Sequence, residues 1–146
     1  MSADPALNRL IRQRAARLLI DESAAIPEGT AIYALTDPRD VRTPRYIGQT
    51  RAPRRRLLQH IAQARLWLHD ERPWWIREPQ LRPLYDWIRA LHRDEGRLPA
   101  MVVSEWVPLD SDARVVERAR ILDGLARQWP LLNYEREVQG RQMTLL

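Results

Sequence analysis

Two tyrosines, an arginine and a histidine follow one another at short distances in the first half of the chain. Tyr46 lies 13 residues after Tyr33, and Arg56 and His60 follow it at distances of 10 and 14 residues. Cleavage of a phosphodiester requires an activated nucleophile, neutralisation of developing charge and assistance to the leaving oxygen. Phenol, guanidinium and imidazole groups supply a candidate for each of these tasks, so the set is typical of phosphodiester hydrolysis.

A carboxylate and an amide complete this set further along the chain, at Glu117 and Asn133. Glu117 is in line with Ile121 and Leu125 on a predicted helix. The neighbouring row, which we expect to be buried, contains Val115, Ala119, Leu122 and Ala126. A carboxylate at the border of a buried face is costly unless it is paired or binds a metal. A single carboxylate suits one Mg²⁺ ion that keeps most of its waters and takes further oxygens from a phosphate.

The elements that must position these residues begin with a hairpin. Residues rich in β-formers, 30–36 and 45–50, predict two antiparallel strands that are joined by a turn-rich loop. Tyr33 and Tyr46 can then face the same side. Pro53 suits the first turn of a helix that extends to about residue 68, with Leu57, Leu58 and Ile61 inward. Arg56 and His60, four residues apart, share one face of this helix.

The rest of the chain predicts further helices around a third strand. The stretch 69–83 contains three prolines and cannot form one regular element. A second helix at about 84–93 precedes a strand at 101–107, and a long helix follows at about 112–128, capped by Asp110 or Ser111. The prediction is an α+β fold with a three-stranded antiparallel sheet that is flanked by helices.

The composition of 146 residues fits one domain with additions at both ends. Residues 1–20 are amphipathic and predict an accessory helix, and a linker extends this segment to residue 28. The predicted domain covers 29–134, and a polar, then apolar, tail covers 135–146. Cysteine is absent, which excludes disulfides and thiolate chemistry. No apolar run approaches 18 residues, so we expect a cytoplasmic protein without a membrane segment.

The triplet Tyr46-Ile47-Gly48, preceded by Ala31-Ile32-Tyr33, resembles the motifs of the GIY-YIG nuclease family. The resemblance spans roughly residues 30–134 and includes all six positions described above. It implies a metal-dependent endonuclease that hydrolyses phosphodiester bonds in DNA by attack of water on phosphorus, with one Mg²⁺ or Mn²⁺. Ala31 stands where the family has glycine, and because alanine is small we expect activity to be kept.

The resemblance also implies a role for each residue of the set. Tyr33 would orient the attacking water and accept its proton. A free phenol has a pKa near ~10, so Arg56 and the metal would have to lower the pKa of Tyr33. The other implied roles are contact with phosphate or water for Tyr46, phosphate neutralisation for Arg56, proton relay for His60, metal ligation for Glu117 and support of the geometry for Asn133.

Basic residues near the set indicate a polyanionic partner. The net charge is +5, and all 24 basic residues are arginine, whose guanidinium pairs bidentately with phosphate. Positions 51–65 contain no acid, and Gly48 leaves its backbone uncovered where a phosphate or another strand can approach. We therefore expect DNA to contact Gly48 and the nearby arginines Arg51, Arg54, Arg55 and Arg65.

Simpler interpretations remain for each residue alone. Tyr33 and Tyr46 can be packed strand aromatics, His60 a satisfied buried histidine, and Glu117 the partner of Arg114 or Arg120 at helical spacing. One alternative function is therefore a non-catalytic nucleic-acid-binding module on the same fold. A second is a protein-interaction domain that uses Trp74-Trp75, although these side chains can also stack on an unpaired base.

Overall fold

A computed structural model of the chain describes residues 19–20, 28–66 and 78–133. The predicted tail 135–146, Trp74-Trp75 and most of the predicted accessory helix lie outside these residues. The described elements are β1 (Leu19–Ile20), β2 (Gly29–Asp37), β3 (Asp40–Thr50), α1 (Pro53–Ala64), a 3₁₀ turn (Pro79–Leu81), α2 (Arg82–Glu95), β4 (Ala100–Pro108) and α3 (Ala113–Ala126). No helix among these elements is long and apolar enough to cross a membrane.

The predicted three-stranded antiparallel sheet is confirmed, with β2 in its centre between β3 and β4. Leu19–Ile20, at the end of the segment that we expected to be helical, instead form a short strand. This strand pairs in parallel with Met101 and Val102 of β4 and extends the sheet to four strands. Three α-helices flank the sheet, so the described residues form a mixed α and β fold.

The hairpin between β2 and β3 is tighter than the sequence predicts. The expected loop at 37–44 is wrong, because β3 already begins at Asp40 and only Pro38 and Arg39 form the turn. The Asp37 carboxylate stabilises this turn by accepting hydrogen bonds from the Arg39 backbone N–H at 2.9 Å and from its guanidinium at 2.7 Å. Register shifts beside Thr36 accommodate the extra residues, as a bulge at the edge of a sheet can.

The sheet is covered on both faces, and every residue of β2 is buried. One face carries Tyr33 and Leu35, which pack against α1 and α2 through Leu57 and Ile88. The opposite face carries Ile32, Ile47 and Val107, which pack against Ala113 and Ile121 of α3. Successive strand residues therefore point to different helices, as the pleat of a strand requires.

The helices α1 and α2 both begin with proline in the first turn and both end at a left-handed residue. The helix α1 ends at Ala64, about four residues earlier than the sequence predicts, with Arg65 as its C-cap at φ 48°; Gly96 is the C-cap of α2 at φ 62°. Leu57 and Ile61 are fully buried as predicted, and Leu58 is half-buried. The side of α1 that faces the sheet is thus the side that carries His60.

The N-cap of α3 is Asp112, one residue after Ser111 and two after Asp110, because its side chain accepts the hydrogen bond from the backbone N–H of Arg114. Its predicted buried row is wrong: Val115, Ala119 and Ala126 are exposed. The buried positions are Ala113, Ile121 and Gly124 instead. Since Glu117 lies one turn after Ala113 and one turn before Ile121, its carboxylate belongs to the packed side of the helix.

Candidate functional site

The two tyrosines come together on the face of the sheet that α1 and α2 cover. Tyr33 on β2 pairs with Gly48 on β3, and Leu35 pairs with Tyr46, so the two phenols are diagonal neighbours on one face. Their ring centroids are 6.3 Å apart. Tyr33 is 1 % exposed and Tyr46 is half-buried, so both tyrosines lie mostly inside the protein.

Gly48 is the position over which Tyr33 lies. A Cβ at position 48 would stand 2.5 Å from the Tyr33 hydroxyl oxygen and 2.6 Å from its Cζ. The sequence predicts that Gly48 leaves its backbone open to a phosphate or to another strand, and the phenol of Tyr33 on the neighbouring strand takes up this space. Glycine is required here because the ring of Tyr33 approaches the backbone so closely.

A bulge on the other side of β2 contributes to the orientation of Tyr33. Ile32 pairs with Glu105 and Tyr33 with Val103, so Ser104 is an extra residue on β4 at this point. The Ser104 hydroxyl donates a hydrogen bond to the Ile32 carbonyl at 3.1 Å. A bulge adds twist and re-aims the side chains beside it, and such features are common next to functional sites.

The helix α1 presents Arg56 and His60 to the phenols. His60 is fully buried, and its Nε2 lies 2.8 Å from the hydroxyl oxygen of Tyr33. Its ring meets the ring of Tyr46 edge-on, with 5.7 Å between centroids. The half-buried guanidinium of Arg56 also interacts with the Tyr33 hydroxyl, through a side-chain hydrogen bond and through its charge.

Burial dominates the protonation of these groups. It raises the pKa of Tyr33 to about 12, although Arg56 acts in the opposite direction, and it also raises the pKa of Tyr46. Burial, together with the charge of Arg56, lowers the pKa of His60 to about 3. At neutral pH both phenols are therefore protonated and the imidazole is neutral. Arg56 alone does not bring the pKa of Tyr33 below its usual value, because the loss of hydration has the larger effect.

Glu117 reaches this group of residues from α3. Its Oε2 accepts a hydrogen bond of 2.6 Å from the amide of Gln49, the residue after Gly48. Its charge is close enough to raise the pKa of Tyr33 and of Tyr46 beyond the effect of burial. Two arginines were candidate partners for this carboxylate. Arg114 instead pairs with Asp112, and Arg120 pairs with Glu105.

The side chains around Glu117 offer few ligands for a divalent ion. Among the described residues, no group of three or more carboxylate, imidazole or thiolate side chains could hold a metal. A preformed protein cage for a metal is therefore not present in this part of the chain. Glu117 offers one carboxylate, which Gln49 orients and which lies close to two phenols. This set fits a Mg²⁺ ion that takes most of its oxygen ligands from water and substrate.

Asn133 fixes the outer edge of β3 beside the tyrosines. Its Oδ1 accepts from the backbone N–H of Ile47 at 3.0 Å, and its Nδ2 donates to the carbonyl of the same residue at 2.8 Å. The backbone N–H of Leu132 donates to the carbonyl of Arg45 alongside. This pairing satisfies the edge next to Tyr46 and holds that strand in place.

The predicted nucleic-acid-binding arginines do not form one cluster. Arg51, Arg54 and Arg55 are exposed at the N-terminal end of α1, next to Arg56. Arg65 lies at the opposite end of the helix, about 16 Å along its axis from Arg54. The Arg65 carbonyl accepts a hydrogen bond from Arg89 at 2.9 Å. Only the first three arginines therefore extend the site.

The site also contains three residues that the sequence motifs do not indicate: Tyr85, Gln63 and Gln49. Tyr85 on α2 lies with its hydroxyl 3.5 Å from Nδ1 of His60, and this hydroxyl donates to Oε1 of Gln63 at 2.5 Å. Gln49 orients Glu117. The alternation along β3 could have assigned Gln49 to the side that faces α3. No local pattern marks Tyr85, because its partner is 25 residues away in the sequence.

Comparison of the chain with family models, curated proteins and solved structures finds no match. We therefore interpret the site from its own geometry. It combines two protonated phenols, a neutral imidazole, a guanidinium and one carboxylate. Such a set can bind an anion through Arg56, hold a water molecule by hydrogen bonds and move a proton from Tyr33 to His60.

Proposed function

We propose that the protein is a metal-dependent endonuclease that hydrolyses phosphodiester bonds in DNA, as the resemblance to the GIY-YIG family implies. The observation that carries the proposal is the 2.8 Å hydrogen bond between Tyr33 and His60, with Arg56 and the charge of Glu117 beside it. These side chains come from β2, α1 and α3, and Tyr46 of β3 completes the group. Packing alone does not require a carboxylate, a guanidinium and two phenols at one point.

The nucleophile in this proposal is a water molecule that hydrogen-bonds the oxygen of Tyr33. As the water oxygen forms a bond to phosphorus and the bond to the leaving oxygen breaks, Tyr33 accepts the proton of the water. It passes its own proton to Nε2 of His60, at 2.8 Å. The leaving oxygen takes a proton from solvent. Tyr33 never has to be a free phenolate in this scheme, which agrees with its raised pKa.

The substrate itself adjusts the basicity of His60. The charge of Arg56 is one of the two causes that lower the pKa of His60. A phosphate bound to Arg56 offsets this charge and brings a negative charge close to the imidazole. Both effects raise the pKa of His60, so proton transfer from Tyr33 becomes easier when substrate is present.

A single Mg²⁺ or Mn²⁺ would be held by Glu117, with Gln49 as the residue that orients the carboxylate. When bound, the ion would polarise the phosphate and stabilise negative charge on the leaving oxygen. Its positive charge close to Glu117 would also oppose the effect by which this carboxylate raises the pKa of the two tyrosines.

DNA would follow the exposed arginines at the start of α1. This end of the helix has no side-chain cap and no acidic residue in its first turn, where Arg54 and Arg55 lie. Basic residues at a helix N-terminus oppose the macrodipole, so they do not stabilise the helix. The negative charge of a phosphate backbone would offset the unfavourable interaction between these arginines and the helix dipole. DNA bound along Arg54 and Arg55 would also bring a phosphate close to Arg56.

Incubation of the protein with supercoiled, linear and branched DNA, in the presence of Mg²⁺, Mn²⁺ or EDTA, tests the proposal. We expect nicking that requires a divalent ion and that is lost in Arg56→Ala. Arg82→Ala, an exposed arginine at the start of α2, is the matched control and should cleave normally. Cleavage that persists in EDTA, or that Arg56→Ala retains, would contradict the proposal.

A second candidate function is a non-catalytic nucleic-acid-binding module. The raised pKa of Tyr33 favours it, because a buried and protonated phenol is a poor base when it acts alone. Binding of DNA without cleavage under any metal condition would select this function. The affinity should then fall steeply with salt, whereas binding through an apolar protein interface should not.

A further inference from the structure

We propose that Tyr85 is a positioning residue of this site, which holds His60 in the tautomer that carries its proton on Nδ1. The inference deepens the proposed function, because only this tautomer leaves Nε2 able to accept the proton of Tyr33. Tyr85 lies on α2, is 2 % exposed and packs in the same core as Tyr33. It lies on the side of the His60 ring where Nδ1 points, at a centroid distance of 6.1 Å.

The hydrogen bonds of Tyr33 give the first argument for this tautomer. The Tyr33 hydroxyl interacts with Arg56 and with Nε2 of His60. A guanidinium can only donate, so it cannot accept the phenol proton. A buried hydroxyl that donates no hydrogen bond destabilises the folded state. The proton of Tyr33 therefore points to Nε2, and this nitrogen has to be the unprotonated one.

The hydrogen bonds of Tyr85 give an independent argument with the same result. The Tyr85 hydroxyl has one proton, and it donates this proton to Oε1 of Gln63 at 2.5 Å. Because this proton is already used, the Tyr85 oxygen can only accept a hydrogen bond from Nδ1 of His60, which lies 3.5 Å away. Nδ1 must therefore carry the imidazole proton. The resulting chain runs in one direction, from Tyr33 through His60 and Tyr85 to the exposed Gln63.

This chain explains a buried hydroxyl that the apolar contacts of α2 do not require. Phenylalanine would fill the same core position against Ile61 and Leu84. The hydroxyl adds an acceptor for the buried N–H of His60. For histidines that bind a metal, the partner that orients the ring has a large effect on function, and we expect an effect of the same kind here.

The experiment is nitrogen NMR of the histidines in wild type and in Tyr85→Phe, in the absence of DNA. We expect wild-type His60 to show one neutral tautomer, protonated on Nδ1. Tyr85→Phe should show a measurable share of the other tautomer, because only the contact with Tyr33 then favours the first one. Trp87→Phe, on the same helix and packed against the same core, is the control and should leave the tautomer unchanged. A wild-type proton on Nε2 would overturn the inference even if no variant folds or no DNA is cleaved.

Kinetics provide the second measurement if the protein cleaves DNA. Tyr85→Phe should lower kcat about ten-fold at unchanged KM, because Tyr85 does not contact the substrate. A rise in KM with unchanged kcat, or an unchanged tautomer in Tyr85→Phe, would overturn the role of Tyr85. The tautomer measurement does not depend on activity, so a failure of the proposed nuclease function remains distinguishable from a failure of this inference.

Discussion

Gly48 and Tyr33 are cross-strand partners in direct contact, and the ring of Tyr33 occupies the place of a side chain at position 48. The glycine of the Tyr-Ile-Gly triplet thus leaves the space that the tyrosine ring of the neighbouring strand occupies. It allows Tyr33 to lie flat enough on the sheet to reach His60. The two motifs on β2 and β3 therefore form one packing unit.

Gly48→Ala tests this contact. The added methyl group would meet the Tyr33 hydroxyl at 2.5 Å, so we expect Tyr33 to move away from His60. Overpacking of this kind should lower the free energy of unfolding by about 1–3 kcal/mol. Urea denaturation measures this loss of stability. The cleavage activity should also decrease, because the displaced Tyr33 no longer forms its hydrogen bond with His60.

A double-mutant cycle identifies Tyr33 as the cause. In a Tyr33→Ala background the ring is absent, so Gly48→Ala should cost much less than in wild type. We expect a coupling free energy of about 1 kcal/mol or more between the two positions. If Gly48→Ala costs the same in both backgrounds, the contact does not explain the requirement for glycine.

The buried neutral state of His60 predicts a dependence of stability on pH. Its pKa is about 3 in the folded protein, against about 6.5 when unfolded, so between these values the unfolded state binds more protons. The contribution of His60 to stability is then complete above pH 6.5 and is lost as the pH falls towards 3. From pH 7 to pH 4 this loss amounts to about 3 kcal/mol.

The measurement is the free energy of unfolding as a function of pH in wild type and in His60→Gln. The free energy of unfolding of the wild type, relative to that of His60→Gln, should fall by about 3 kcal/mol from pH 7 to pH 4, because the variant lacks the titrating imidazole. His92→Gln, which removes a histidine of α2, is measured alongside as the matched control for the substitution. Parallel curves for wild type and His60→Gln would show that His60 is not held neutral by burial.

The exposed arginines at the start of α1 predict a salt-dependent affinity for DNA. Each phosphate contact contributes about 0.9 to the slope of log affinity against log salt concentration. Replacement of Arg51, Arg54 and Arg55 by glutamine should therefore reduce this slope by two to three, and lower the affinity about ten-fold or more. The matched control replaces three exposed arginines elsewhere: Arg82, Arg93 and Arg97. An equal effect of both triple variants would indicate attraction by net charge alone.

The sequence predicted the fold where local signals were strong. The β-formers at 30–36 and 45–50, Pro53 and the spacing of Leu57 and Ile61 determine the hairpin and α1, and these elements are present. The early start of β3 could not be predicted, because it depends on bulges and on the Asp37–Arg39 contact. Prolines in an edge strand look like loop residues in the sequence.

For the site, the sequence specified residue types and spacing but not protonation. Arg56 and His60 reach the same phenol because four residues make one helical turn. The contacts of Glu117 with Gln49 and of Asn133 with Ile47 join positions 68 and 86 residues apart, and no local pattern indicates such pairs. The raised pKa of Tyr33 depends on how deeply the sheet and the helices α1 and α2 bury its ring, and the sequence alone does not show this packing.

The most direct test of the account is metal-dependent cleavage of supercoiled DNA by Glu117→Ala. Glu105→Ala, which removes a partly exposed carboxylate of β4 that pairs with Arg120, is the matched control. We expect Glu117→Ala to lose cleavage at any Mg²⁺ or Mn²⁺ concentration while DNA binding is mostly kept, and Glu105→Ala to cleave normally. Full activity in Glu117→Ala would contradict the account, because Glu117 is the carboxylate to which the account assigns the ion.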